Sequence, residues 1–266
     1  MSLSMLMKKP VSIIGMGEMG GVFARGFLKT GHPVYPIVRG MNISTVQKEL
    51  PECEAVIVAV GEKDLQNVLT AIPSNWQDKL VLLQNELLPR DWQAHQIQNP
   101  TVIAVWFEKK HPNDYKVLIP SPVCGPKAEL VKSALESIHI PCQTLTRPED
   151  LLFALIVKNL YILTINIAGL VAGGTVSELW SQHNKLAREI ANDILDVQFS
   201  LIDQTFDREQ LIEGMLKAFA GDPQHKCLGR TALSRLERAI SHADQAKLKV
   251  KKLREISLQQ ATAKQI

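Results

Sequence analysis

A glycine-rich stretch between Val11 and Arg39 constrains the fold of this chain more than any other feature. A short apolar run, Val11–Ile14, comes first, and three glycines in G-x-G-x-x-G spacing follow it at once: Gly15, Gly17 and Gly20. Apolar residues at helical spacing come next, then a stop at Gly31 and a second apolar run. Strand, turn, helix and strand in this order form the context in which such a glycine motif predicts a dinucleotide-binding fold.

Each glycine of this motif has its own physical reason. Gly15 permits a tight turn, Gly17 lets the backbone approach a pyrophosphate, and Gly20 lets the helix pack close to the strand. The N–H groups and the positive end of the helix would hold the anion. A glycine turn in some other α/β protein is the plain alternative. We expect the cofactor to contact the whole loop: Gly15, Met16, Gly17, Glu18, Met19 and Gly20.

The second apolar run ends at Arg39, and no acidic residue lies near it in the sequence. NAD-specific sites usually place an Asp or Glu there to bind the ribose 2′-hydroxyl. A guanidinium instead suits a 2′-phosphate, through bidentate charge-assisted hydrogen bonds. The sequence therefore predicts NADP (NADPH) rather than NAD as the cofactor. The alternative is an exposed surface arginine without a ligand.

Strand and helix patterns alternate through the rest of the N-terminal half. Further strands are predicted at Ala55–Val60, Lys79–Asn85, Thr101–Phe107 and Cys142–Leu145. Helices are predicted at Thr45–Leu50 with Ser44 as its cap, at Lys63–Ile72 and at Ala128–Ile138. Asp114–Ile119 is expected to form a hairpin, and Pro120–Pro126 a proline-rich turn. This alternation predicts a parallel doubly wound sheet, whose carboxyl strand ends face one cleft: Gly15, Arg39, Val60–Gly61 and Asn85.

The pattern changes at Arg147, where Pro148 and two acids open a helix. Helical periodicity then continues to the C-terminus. We therefore predict an α/β Rossmann domain over residues 1–146 and an all-helical substrate domain over 147–266, with the nicotinamide end of the cofactor between them. The segment Leu151–Ala172 is almost wholly apolar, but a lysine and two asparagines interrupt it. Because a charge at bilayer depth is costly, we expect a buried core helix rather than a membrane span.

Composition excludes several classes of function. A net charge of +3 is too small to indicate a nucleic-acid partner or a membrane surface. The four cysteines lie far apart and the seven histidines form no ligand motif, so we expect free thiols in a reducing cytoplasm and no metal.

Several of these motifs together resemble one enzyme family. The glycine motif, the Arg39 position, Gln84-Asn85 and the hairpin ending in Gly125-Pro126 all resemble the ketopantoate reductases, in the wider 6-phosphogluconate dehydrogenase-like group. The narrower signal is Leu151–Leu170, where Lys158 stands at the catalytic lysine and Asn166 at an asparagine eight residues later. The segment from Gly174 to Leu179 is also similar. The resemblance covers most of the chain.

The resemblance implies reduction of a small keto acid by NADPH. It places Lys158 as the proton donor, Asn85 against nicotinamide and substrate, and Asn166 on the substrate. Positions 158 and 166 share one stripe of a helix. A lysine ammonium partly removed from water is suited to protonating the growing alkoxide, whereas a lysine that reaches to the surface is the alternative. A homodimer through the helical domain is one option for the assembly.

Three polar positions of the family differ here. Ile162 replaces an asparagine, Gly61 stands where the family has a lysine, and the stretch His225–Ala232 offers no glutamate. These differences leave the substrate open and allow a second interpretation, a non-enzymatic NADP-binding protein with a degraded site. A third is a 3-hydroxyacid dehydrogenase, since the segment Pro122–Gly125 resembles the Pro-Val-Ser-Gly turn of those enzymes with Cys124 in place of the serine.

Overall fold

A computed structural model of the chain describes residues 8–50, 52–111, 114–202 and 204–263. The chain divides into two compact units, Met1–Ala154 and Leu155–Ile266. The division falls inside a long helix that begins at Pro148, whereas the sequence pattern changes just before that helix. The domain limits 1–146 and 147–266 stay a prediction.

A seven-stranded sheet forms the centre of the first unit. Its strands, in chain order, are β1 (Val11–Ile14), β2 (Val34–Ile37), β3 (Ala55–Val58), β4 (Leu80–Leu82), β5 (Thr101–Ile103), β8 (Ser121–Cys124) and β9 (Cys142–Leu145). The spatial order is β2-β1-β3-β4-β5-β8-β9. The first five strands of this order run parallel, β8 is antiparallel to β5, and β9 is parallel to β8. A separate hairpin, β6 (Phe107–His111) with β7 (Asp114–Val117), lies between β5 and β8 in the chain.

Helices connect these strands in the first unit. They are α1 (Glu18–Lys29), α2 (Ile43–Glu49), α3 (Glu62–Ala71), a 3-10 helix (Ser74–Lys79), α4 (Pro89–Gln93) and α5 (Ala128–Glu136). Helices α1 and α5 pack very closely, because a Cβ on Gly26 would lie 2.5 Å from the carbonyl oxygen of Ala134. Phe23 and Phe27 of α1 are fully buried in the resulting core.

Two local predictions are wrong. Ser44 does not cap α2, since Asn42 accepts a hydrogen bond from the Thr45 N–H at 3.0 Å and the helix begins at Ile43, two residues earlier than predicted. The expected turn over Pro120–Pro126 contains strand β8 instead. Proline removes a backbone donor, but its carbonyl still accepts, and Pro122 accepts the Ala104 N–H at 3.0 Å. Pairing with two neighbouring strands therefore outweighs the local turn propensity of the prolines.

The second unit is helical, as the periodicity predicts. Its helices are α6 (Pro148–Gly169, which starts in the first unit), α7 (Val176–Gln182), α8 (Asn184–Ile202), α9 (Arg208–Gly221), α10 (Ala232–Gln245) and α11 (Lys251–Ala263). Helix α6 is long and apolar enough to cross a membrane, with a mean hydropathy of 1.9, but 72% of that window is buried inside the fold. Most of this helix therefore lies in the core of the fold. The predicted fold class, an α/β domain followed by a helical one, is confirmed.

Candidate cofactor-binding and catalytic site

The glycine loop follows β1 in a conformation that requires two of its glycines. Gly15 has a φ of +93°, and a Cβ there would lie 2.7 Å from the carbonyl oxygen of Ala59. A Cβ on Gly20 would lie 2.0 Å from the carbonyl oxygen of Gly15. Both distances are below any real contact, so a side chain at either position would displace the backbone. Among the described residues no heavy atom lies within 4 Å of a Cβ built on Gly17, which leaves space there for a ligand.

The amino end of α1 follows directly. Gly17 is its N-cap residue, and no side chain caps the helix. The first N–H groups of the helix are therefore available to an external acceptor such as a phosphate. Glu18 is the first helical residue and places an acid in that turn, whereas Met19 packs on the core of the first unit.

A cavity of about 530 Å³ opens beside this loop. It lies over the carboxyl ends of β1, β2 and β3, where a doubly wound sheet binds its ligands. Five of the predicted cofactor residues line it: Gly15, Met16, Arg39, Val60 and Gly61. The remaining lining residues were not predicted, and they are Ile14, Ile37, Val38, Gly40, Met41, Ile43, Asp64 and Val68. The structure thus brings the start of the glycine loop and Arg39 to one cavity, and the predicted residues that are not part of its lining are Gly17, Glu18, Met19, Gly20 and Asn85.

Asp64 is the informative addition. It lies in the first turn of α3, and Val68, one turn further along, lines the same cavity. No acid lies near Arg39 along the chain, but Asp64 lines the same cavity. Asp64 and Val68 stand four residues apart after Gly61, and this helical spacing is the sequence signal that places them on one face of α3.

Gln84 and Asn85 form hydrogen bonds with the segment from the end of β3 to the start of α3. The Gln84 side chain is buried, and its Nε2 donates to the carbonyl oxygens of Val58 at 2.6 Å and Val60 at 3.2 Å. Asn85 Nδ2 donates to Glu62 Oε1 at 3.0 Å, at the start of α3. Gln84 therefore holds the backbone that lines the cavity, a role that the sequence did not indicate. Contact of Asn85 with nicotinamide or substrate stays a prediction.

In the second unit, Lys158 lies on α6 among buried apolar neighbours. Its side chain is half-buried, and its Nζ lies 5.9 Å from the ring centroid of Tyr161. The Tyr161 ring, 3% exposed, also meets His225, with the two ring centroids 6.1 Å apart. His225 Nδ1 in turn lies 3.5 Å from Oδ2 of the buried Asp222. The sequence did not predict the Tyr161 ring near the Lys158 ammonium. It did not predict the pair of His225 and Asp222 beside that ring either.

Asn166 is engaged at both ends of its carboxamide. Its Nδ2 donates to the carbonyl oxygen of Ile162 at 2.8 Å, and its Oδ1 accepts the Gly229 N–H at 3.0 Å. The residue is 4% exposed. It thus holds the loop before α10 against α6, and its predicted contact with substrate stays untested. Ala232 is buried at the start of α10.

The segment from Gly174 to Leu179 forms the start of α7. Thr175 and Glu178 make a capping box, in which the Thr175 N–H donates to Glu178 Oε2 at 2.7 Å. This hydrogen bond holds the pKa of Glu178 below its ordinary value. Burial acts oppositely on the nearby Cys227, where it raises the pKa of the thiol to about 11. Among the residues described, no group of three or more His, Cys, Asp or Glu side chains is arranged to hold a metal ion.

No protein-family model matches the sequence, and no curated protein matches it either. Solved structures do match over nearly the whole chain. The 2-dehydropantoate 2-reductase from Methylococcus capsulatus is 14% identical, with 96% of each chain covered and a TM-score of 0.67. The chain has the fold of the ketopantoate reductases.

Other ketopantoate reductase-like structures agree. The dimeric ketopantoate reductase from Staphylococcus aureus is 16% identical, covers 96% of this chain and 99% of its own, and has a TM-score of 0.58. A D-mandelate dehydrogenase with NADH and anilino(oxo)acetate is 14% identical, covers 93% of this chain and 96% of its own, and has a TM-score of 0.64. The resemblance inferred from the sequence is therefore confirmed in the fold.

Proposed function

We propose that the protein is an NAD(P)-dependent oxidoreductase that reduces the carbonyl of a small keto acid or a related metabolite. The observation that carries this is the cavity over β1, β2 and β3, where the glycine loop and Arg39 line one space. The structural neighbours support the same class of chemistry, since they include reductases of 2-dehydropantoate and a dehydrogenase that holds NADH.

The residues around the cavity fit a nicotinamide dinucleotide. The open Gly17 position and the first N–H groups of α1 would hold the pyrophosphate. Arg39 is exposed at the cavity, and its guanidinium would bind a 2′-phosphate through paired hydrogen bonds. We therefore propose NADPH as the preferred cofactor.

The proton donor in this proposal is Lys158. A bound nicotinamide would supply the hydride that reduces the carbonyl carbon, and Lys158 would meet the alkoxide oxygen that results. An N–H bond of the Lys158 ammonium breaks, an O–H bond forms on that oxygen, and the lysine is left neutral. The half-buried position of Lys158 and the Tyr161 ring under its ammonium support a fixed, partly desolvated cation rather than a solvated one.

The second candidate is a non-enzymatic NADP-binding protein. It is favoured by Asn166, whose carboxamide already holds Gly229 and Ile162, and by the apolar Ile162 itself. The 3-hydroxyacid dehydrogenase interpretation has less support, because the segment it depends on lies in strand β8 and not in a turn.

Titration of the purified chain with NADPH and NADH, followed by fluorescence, tests the cofactor. Oxidation of NADPH against a panel of 2-keto acids then separates the two candidates. We expect tighter binding of NADPH, a preference that Arg39→Ala reduces about 5- to 100-fold, and turnover of at least one keto acid. Tight NADPH binding with no turnover on the panel would favour the non-enzymatic candidate, and binding of neither dinucleotide would contradict both. A cytoplasmic location and a homodimer stay predictions.

A further inference from the structure

The nucleotide cavity carries two opposite charges. Arg39 follows β2, and Asp64 lies on α3, which follows β3. Strand β1 lies between β2 and β3 in the sheet, so the cation and the anion reach the cavity from opposite sides of the glycine loop. A ligand in this cavity meets both charges at once.

Neither charge is neutralised by a neighbour. Arg39 is exposed and Asp64 is half-buried, and neither forms a hydrogen bond or an ion pair with another side chain in the part of the chain that the structure describes. The Asp64 N–H donates to the carbonyl oxygen of Gly61 at 3.0 Å, which fixes the backbone of the first helical turn. The carboxylate is thus set on a rigid element and left to solvent or to a ligand.

We propose that Asp64 is a specificity-determining residue that opposes Arg39 in the choice between NADPH and NADH. This inference rests on the proposed function. A carboxylate accepts a hydrogen bond from a ribose hydroxyl, as acids in other dinucleotide sites do, but it repels a phosphate on the same ribose. The Arg39 guanidinium attracts that phosphate. The chain therefore discriminates between the two cofactors less than Arg39 alone would dictate.

The size of the effect follows from the charges. A carboxylate a few ångströms from a phosphate at a solvated site changes binding by about three- to tenfold, and added salt screens much of this. The loss of a single hydrogen bond to NADH is of similar size. Removing the Asp64 charge therefore raises affinity for NADPH and lowers affinity for NADH.

The test is the ratio of the two dissociation constants in the full chain and in Asp64→Asn, measured by fluorescence at low salt and again at high salt. Asn keeps the size of the side chain, and a thermal melt checks that the variant is folded. Asp78→Asn is the matched control, because it removes one exposed acid from the same unit outside the cavity.

We expect the preference for NADPH to rise at least threefold in Asp64→Asn, to shrink toward the wild-type value at high salt, and to stay unchanged in Asp78→Asn. An unchanged ratio in a folded Asp64→Asn that still binds both dinucleotides would overturn this inference and leave the proposed function standing. Failure of the wild-type chain to bind either dinucleotide would overturn the proposed function and the inference with it.

Discussion

Asn166 and Gly229 hold the start of α10 against α6. The Gly229 N–H donates to Asn166 Oδ1 at 3.0 Å, and a Cβ on Gly229 would lie 2.5 Å from that same oxygen. One carboxamide therefore both binds the loop and limits which residue the loop can carry. The loop it fixes also contains Leu228, whose φ of +93° is strained for a side chain with a Cβ.

This contact predicts a non-additive pair of substitutions. Asn166→Ala leaves the Gly229 N–H without its acceptor and should lower the free energy of unfolding by about 1–3 kcal/mol. Gly229→Ala should also destabilise, because the new methyl displaces the carboxamide. In the double variant the clash is gone, so its loss should be smaller than the two single losses together. Urea unfolding of the four proteins measures this, and strictly additive losses would show that the two residues do not act on each other.

Lys158 is expected to carry the proton transfer. Lys158→Met keeps the apolar stem and removes the ammonium, so turnover on a confirmed substrate should fall about 10²–10⁴-fold while NADPH affinity changes little. Lys217→Met on α9 is the matched control, because it removes an exposed lysine of the same unit. Near-normal turnover of Lys158→Met would remove the lysine from the mechanism.

Glu54 and Lys127 form an ion pair that should make stability depend on pH. Lys127 Nζ donates to Glu54 Oε1 at 2.8 Å, and this hydrogen bond lowers the pKa of Glu54 in the folded state. The pair's contribution is therefore complete above the unfolded pKa of the carboxyl and disappears as pH falls through the lower folded value.

Glu54→Gln should accordingly cost about 0.5–1 kcal/mol at pH 7 and less at pH 3, measured by urea unfolding at both values. Glu52→Gln is the control, since its pair with Lys9 is 3.4 Å long and much more exposed. An equal loss for Glu54→Gln at the two pH values would contradict the assignment.

The four cysteines are free and should differ in reactivity. Burial raises the pKa of Cys142 to about 12, and it raises those of Cys53 and Cys227 as well. Cys124 is half-buried and should react first with a disulfide reagent in the folded protein, while the others react only on unfolding. A rapid reaction that persists in Cys124→Ser would show that one of the buried thiols is accessible.

The sequence identified the glycine loop because its requirements are local. A turn at Gly15 and close packing at Gly20 follow from residues that are neighbours in the chain, and their spacing is enough to recognise them. The helical domain could be predicted equally well, because the periodicity of its apolar residues is visible without knowing which elements pack against them. The cap of α2 was misplaced by two residues, from Asn42 to Ser44, because both residue types cap helices and the pattern does not distinguish them.

The missing parts of the site depend on distant pairings. Asp64 and Arg39 line the same cavity only because β1 lies between β2 and β3 in the sheet. The sequence does not show this strand order. The contact of Asn166 with substrate stays a prediction, whereas its hydrogen bond to Gly229, 63 residues further along the chain, has no signal in the sequence. Strand β8 likewise depends on β5 and β9, because its own prolines indicate a turn.

The Gln84 carboxamide has a consequence for how this cavity can evolve or be redesigned. Val60 lies two residues beyond the end of β3, and the Gln84 side chain donates to its carbonyl oxygen as well as to that of Val58, the last residue of the strand. The shape of the rim of the nucleotide cavity can therefore change without a change in the strand pairing of the sheet. A change at this single position would reshape the cofactor end of the molecule while every strand kept its register.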